Sequence, residues 1–253
     1  MVMANNKGEL TFWDHLDVLR GCLVRILLAA FSASVVAFTF KEQLFAVVLA
    51  PSHASFPLYR LIGAEAFQLH LMNTGLTEQF MIHMKVALTT GVLATSPYIL
   101  YLLLGFITPA LYENERRYSL QLTLSAYSMF LVGVAVNYLI VFPLTVRFLG
   151  TYQVSSEVQN MLTLSSYIDT LLGMSLAMGL VFELPVLSWL LAKLGLLKAA
   201  CMSKVRRHAV VTILIIAAVV TPTSDMFTLL VVSLPIYLLY EISIGIVSIT
   251  RKK

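Results

Sequence analysis

The chain is built from long apolar runs separated by short polar breaks. The runs repeat near 20 residues, and about 20 helical residues cross the roughly 30 Å of bilayer hydrocarbon. Backbone polar groups in lipid must be satisfied within the chain, so such runs predict helices. The strict alternation of a membrane barrel is missing from the pattern. The breaks predict six spans, at about 21–40, 80–106, 118–142 (closing at Pro143), 167–191, 209–221 and 226–249. They form one polytopic membrane domain, 1–253, with no long linker, low-complexity tract or clear internal repeat.

The loops 41–79 and 143–166 contain prolines and short apolar stretches such as FAVVLA, which predicts short helices lying at the membrane interface. The fifth span stands apart. Residues 209–221 give about 20 Å of helix at ~1.5 Å per residue, less than a bilayer needs. Pro222, in TPTSD, stops it. Such a segment thins the bilayer, is covered by protein, or turns back as a re-entrant hairpin.

Composition agrees with the pattern. The 253 residues are 59% hydrophobic and 12% charged. A net charge of +4 in a soluble protein would raise nucleic acid as a partner; here the basic residues flank apolar spans and set topology instead. With the N-terminus in the cytoplasm, 13 of the 17 Lys and Arg residues fall on that side, among them Arg20, Arg116, Arg117, Lys193 and Arg206. Lys41, Arg60 and Arg147 fall outside, and Lys85 sits just inside the second span. Residues 1–20 are polar and no small-residue cleavage site precedes Lys41, so the first run reads as a permanent anchor. Cys22 and Cys201 are far apart and read as small packing residues, not a disulfide or metal pair.

Charge inside the oily chain marks the candidate chemistry. In FITPALYENERRYSL, residues 106–120, Glu113, Glu115, Arg116 and Arg117 crowd into five positions. On the residues alone, an ordinary solvated turn is the simpler account and a recognition loop the alternative. Glu183, in LVFELPVL, lies near the middle of the fourth span, where an ionisable group costs roughly 2.5–3.5 kcal/mol on insertion scales. It faces protein or a hydrated groove, and Pro185 beyond it kinks the helix. A structural hydrogen bond and a functional site account for it equally. Glu241 and Tyr237 sit one helical turn apart and predict a snorkelled or interhelical contact; Lys85 snorkels, and His83 is expected at the interface. No HExxH, GxSxG or paired-aspartate signature lies in the spans, so neither an enzyme, a metal site nor a cofactor is expected. A secondary transporter or ion channel using Glu183 is one reading. Against it, five of the 13 acids (Glu9, Asp14, Asp17, Glu113, Glu115) gather at the cytoplasmic edge, where a transporter would place its ligand groups at the midplane.

Several segments in order resemble the TatC family of the twin-arginine protein translocase: HLDVLR at 15–20, LAP at 49–51, SPYILY at 96–101, FITPALYENERR at 106–117, VFPL at 141–144, FELPV at 182–186, TPTSD at 221–225 and LPIYLLYEI at 234–242. The resemblance implies an all-α membrane protein of six transmembrane helices in a concave, glove-like arrangement. Both termini are cytoplasmic, and the fifth and sixth helices are short. It implies a receptor in the cytoplasmic membrane for signal peptides bearing two arginines. Such a receptor recruits TatA-like and TatB-like single-span proteins, self-associates, and moves folded cargo using the proton-motive force. By this likeness Glu115 binds signal peptide, with Phe106 and Arg20 beside it, and Thr221, Asp225 and Met226 dock partners; helical spacing lets Asp14 and Asp17 flank Val18 and join that site, with helix capping the alternative for Asp14. Carboxylates suit guanidinium ligands because such pairs are charge-assisted and often bidentate. Two positions depart from the family pattern: Val18 stands where a second recognition glutamate is usual, and Leu229 near a usual glutamine.

Overall fold

The computed structural model describes residues 12–63, 69–107, 119–153, 155, 160–221 and 225–250. Along it run α1 (Phe12–Thr39), α2 (Lys41–Leu49), α3 (Pro57–Leu61), β1 (Leu71–Met72), α4 (Glu78–Ile107) and α5 (Ser119–Val136). A π-helical turn (Asn137–Val141) leads into α6 (Phe142–Thr151). Then come β2 (Leu162–Thr163), α7 (Leu164–Val181), α8 (Leu184–Lys193), α9 (Ala199–Lys204), α10 (Arg206–Val220) and α11 (Met226–Thr250).

Five segments among the described residues are long and apolar enough to cross a membrane: Leu16–Thr39, Glu78–Phe106, Leu120–Thr151, Leu164–Lys193 and Met226–Thr250. The fifth predicted span is α10, whose 15 residues reach only about 22 Å. The sixth is not short, which corrects the expectation from the family. Its 25 residues extend about 37 Å, enough to cross hydrocarbon with tilt to spare.

The third span does not close at Pro143 either. It continues to Thr151, because the π turn before Pro143 widens the helix where the ring would meet the carbonyl four residues back. Buried Asn137 opens this turn, and its Nδ2 donates to Ser175 Oγ on α7 at 2.9 Å. Pro97 inside α4 is handled differently. It leaves the Leu93 carbonyl without a backbone donor, and Ser96 Oγ donates to that oxygen at 2.7 Å. In the fourth span, α7 ends at Val181 and α8 restarts at Leu184, with Pro185 in its first turn. The predicted kink at Pro185 is therefore a break, and Glu183 occupies it.

Packing fixes the directions. Ser34 lies against Leu88 and Gly91, and Phe38 stacks on His83, so α1 and α4 run antiparallel. Phe142 meets Tyr167, and Phe182 meets Gly133, so α5–α6 and α7 are antiparallel as well. Lys85 and Asp169 join the first halves of α4 and α7, which run parallel. Two core clusters dominate. One, around Met174, Met178, Ile213, Val232 and Ile236, gathers α7, α10 and α11; the other, around Val48, Ile82, Phe142 and Ile168, gathers α2, α4, α6 and α7. α1 packs chiefly on α4 and keeps Leu27, Leu28 and Phe31 exposed, as a lipid-facing helix does.

Short helices, as expected in 41–79, are present as α2 and α3. Tyr59 anchors them: its hydroxyl lies 2.9 Å from the Pro51 carbonyl and 3.1 Å from that of Pro143, and burial pushes its pKa well up. In 143–166 no separate short helix is seen among the described residues; that stretch carries the rest of α6 and the start of α7. The parallel bridge of β1 and β2 (Leu71 opposite Leu162, Met72 opposite Thr163) ties the two loops together.

Candidate functional site

Antiparallel helices sort the charges to two ends. Arg20, Lys193, Lys198, Lys204, Arg206 and Arg207 gather at the end where α1 begins and α8 finishes. Lys41, Arg60 and Arg147 lie toward the other.

At the basic end, the α1–α4 register can be extended from the Ser34–Leu88 contact. Carried equally along both helices, it sets Asp17 level with Gly105, beside Phe106. Asp17 and Arg20 are exposed on α1, and Phe106 is half-buried on α4. Asp14 belongs to α1 but its side chain lies outside the described residues, as do Glu113, Glu115, Arg116 and Arg117. Val18, at the position of the usual family glutamate, is exposed.

Mid-span, Glu183 is 8% exposed and Oε1 has no hydrogen-bond partner among the described residues. Two neighbours in sequence, Phe182 and Leu184, join the α7–α10–α11 core. Glu241 does make the interhelical contact expected of it: Arg206 donates to Oε2 at 2.9 Å and Tyr237 to Oε1 at 3.2 Å. Near α10, Thr221 is buried and donates to the Ala217 carbonyl at 3.0 Å, so its hydroxyl is turned into its own helix. Asp225 Oδ1 accepts from the Thr228 amide at 2.7 Å and caps α11. Met226 is exposed, and Val211, Ile215 and Val219 form an open apolar stripe on α10.

The opposite end holds a polar clamp that sequence reading missed. Glu78 accepts from the Thr74 and Gly75 amides at 2.8 Å each, and its other oxygen from the Ser165 amide at 3.2 Å. Lys85 pairs with Asp169 at 2.7 Å, and Ser165 Oγ donates to the same carboxylate at 3.2 Å. Lys85 therefore finds a counter-ion rather than merely snorkelling. The signal was present: Asp169 in YIDTLL is an acid inside an apolar run, which asks for a partner. His83, expected at the interface, is buried and stacked on Phe38 with centroids 3.9 Å apart.

The two halves of the clamp differ in expected weight. Glu78→Ala removes the acceptor for three amides and should speed hydrogen exchange at Thr74, Gly75 and Ser165 at least about tenfold. Lys85→Gln, at a half-exposed pair, should leave those rates within about twofold. Exchange mass spectrometry on both variants checks this, and equal effects would refute the ranking.

The family pattern described as Sec-independent protein translocase protein (TatC) matches residues 14–235. The chain belongs to the TatC family. It is 32% identical to the TatC of Blattabacterium, over 99% of this chain and 100% of that protein. It is 34% identical to the TatC of Desulforapulum autotrophicum, over 96% and 86%. A crystal structure titled as the twin-arginine translocase receptor TatC superposes with a TM-score of 0.79 at 31% identity, covering 94% of this chain and 99% of that one. Membership makes the chain a membrane component of the Sec-independent translocase rather than an enzyme. It also sets aside the transporter or channel reading of Glu183.

Proposed function

We propose that this TatC-family chain is the receptor that takes twin-arginine signal peptides at its basic end. The observation that carries the reading is the convergence of Asp17, Arg20 and Phe106 at the end where α4 hands over to the 108–118 segment, which contains Glu115. An acid on α1 and an acid in that segment supply two carboxylates for two guanidinium groups. Arg20 orients a carboxylate, Phe106 offers an apolar neighbour, and Asp14 with Asp17 makes up for the glutamate that Val18 replaces. Net positive loops hold this end in the cytoplasm, with both termini there, in the cytoplasmic membrane. Short α10 makes a sixth, incomplete crossing of a concave bundle. Its open stripe, ending at Met226, receives TatA-like and TatB-like single-span proteins, and copies of the receptor associate in the complex that moves folded cargo on the proton-motive force. The buried Thr221 hydroxyl and the capping Asp225 shape that edge rather than touching the partner.

Glu115→Gln should weaken binding of a twin-arginine peptide by about 10- to 150-fold, the loss of one charge-assisted contact of roughly 1.5–3 kcal/mol. A fluorescent twin-arginine peptide titrated against the reconstituted chain measures this, with a twin-lysine peptide as control. Unchanged affinity in a variant that still inserts and melts like the parent would remove Glu115 from the site.

A further inference from the structure

A groove of about 510 Å³ opens between α5, α8 and α11. Leu122, Met129 and Val132 form one wall, Val186 and Trp189 the second, and Ile246 the third. From Gln121 at the basic end to Val132 the groove follows α5 for about 16 Å, at ~1.5 Å per residue, toward the middle of the bilayer. No described side chain of the protein fills it.

Trp189 has a second contact. Lys193, one turn later on α8, holds its ammonium 5.8 Å from the centre of the indole ring. An indole that faces hydrocarbon on one side and a cation on the other belongs at the level of lipid headgroups. Beyond it, the stretch from Lys193 to His208 contains no acid. Lys193, Lys198, Lys204 and Arg207 are exposed, and among the described residues none of them pairs with a carboxylate; Arg206 is held by Glu241. Short α9, packed on α11 through Met202, keeps this basic corner close to the helix that supplies Ile246. An apolar slot running into the membrane thus starts beneath a patch of cations that no described carboxylate pairs, Arg206 aside.

We propose that the groove is a binding site for an anionic phospholipid. One acyl chain lies along α5, α8 and α11, and the phosphate is taken by Lys193 with the neighbouring cations, the Gln121 amide standing at the mouth. Shape suits an acyl chain, which is slim enough to follow the groove along α5. Charge favours an anionic headgroup over a zwitterionic one, since each lysine near an anionic lipid surface is worth roughly fivefold in affinity.

The test uses the full chain, delipidated in detergent and titrated with phosphatidylglycerol or phosphatidylcholine of equal acyl length, with bound lipid counted by native mass spectrometry. Phosphatidylglycerol should bind at least about tenfold more tightly. Lys193→Gln with Lys198→Gln, both exposed and so compatible with folding, should reduce its affinity roughly 25-fold and leave phosphatidylcholine unchanged. Ser125→Phe, which projects a ring into the groove, should weaken both lipids. A phosphatidylglycerol carrying a photoreactive group near the chain end should label Val132 and Val186 peptides above those of lipid-exposed Leu27 and Phe31. Inorganic phosphate at millimolar concentration should not compete. Equal affinity for the two lipids, or no effect of Ser125→Phe on a folded sample, would overturn the proposal. So would label spread evenly over α1, or labelling abolished because a single-span protein occupies the slot. The test does not depend on signal-peptide binding, so its failure and failure of the receptor reading are separable.

Discussion

Gly133→Val should lower the melting temperature sharply and cut the yield of monodisperse protein. A Cβ placed on Gly133 stands 2.6 Å from the Met178 carbonyl oxygen and 2.8 Å from Phe182 Cβ. The first obstacle is backbone, so no rotamer change relieves it, and α5 must move away from α7. Without a hydrophobic drive between helices in lipid, association rests on close packing of small residues, and this contact is where it happens. Overpacking ordinarily costs 1–3 kcal/mol. A branched side chain against a carbonyl should exceed that, reaching at least about 3 kcal/mol of a total that is typically 5–15. Gly179 sharpens the test because it faces the mirror arrangement. The three atoms its added Cβ would meet first all belong to the ring of Phe130, the nearest at 2.6 Å. Gly179→Ala should therefore be rescued in large part by Phe130→Leu, whereas Gly133→Ala should not be rescued by Phe182→Leu. Yield of monodisperse protein and melting temperature in detergent read both pairs. Equal rescue would show that the Met178 backbone yields, and the argument would fall.

This contact also shows what sequence can carry. Run length located the five long spans and the short α10, since it depends on composition over many residues. The break at Glu183–Pro185 was legible because one proline within one turn of one acid acts locally. Continuation through Pro143 was not. It depends on a π turn held by the Asn137–Ser175 hydrogen bond, between residues 38 apart in the chain. The glycine pairs, Lys85 with Asp169, and His83 against Phe38 are likewise facts of register between helices. A hydropathy pattern states that a helix exists, not which face meets which neighbour. The groove beside Trp189 needed three helices to be placed before it could be seen. The recognition loop is the reverse case: resemblance singled out Glu115, and that residue lies outside the described ones.

Glu183→Leu should raise thermal stability, or leave it level, while cutting transport by at least about tenfold. The carboxyl is buried at a break in a membrane helix, and Oε1 has no partner among the described residues. Removing a buried polar group that has no partner relieves its desolvation cost, and an apolar replacement of similar shape is close to neutral or favourable. The helix break does not depend on the side chain. Pro185 enforces it, and the Glu183 carbonyl accepts from the Leu187 amide at 2.9 Å whatever the residue. Stability therefore gives no reason to keep an acid whose insertion costs roughly 2.5–3.5 kcal/mol. We propose that the reason lies in what the bundle does when cargo or a partner helix arrives and offers that carboxyl a donor. Glu183→Gln separates the parts of the role. An amide can still accept a hydrogen bond from an incoming polar group but carries no charge, so it should fall between the parent and Glu183→Leu in transport while melting near the parent. Melting temperature in detergent and transport by membrane vesicles of a twin-arginine precursor measure the two sides. A large fall in melting temperature for Glu183→Leu would make the carboxyl structural. Parental transport by the same variant would leave it without a function.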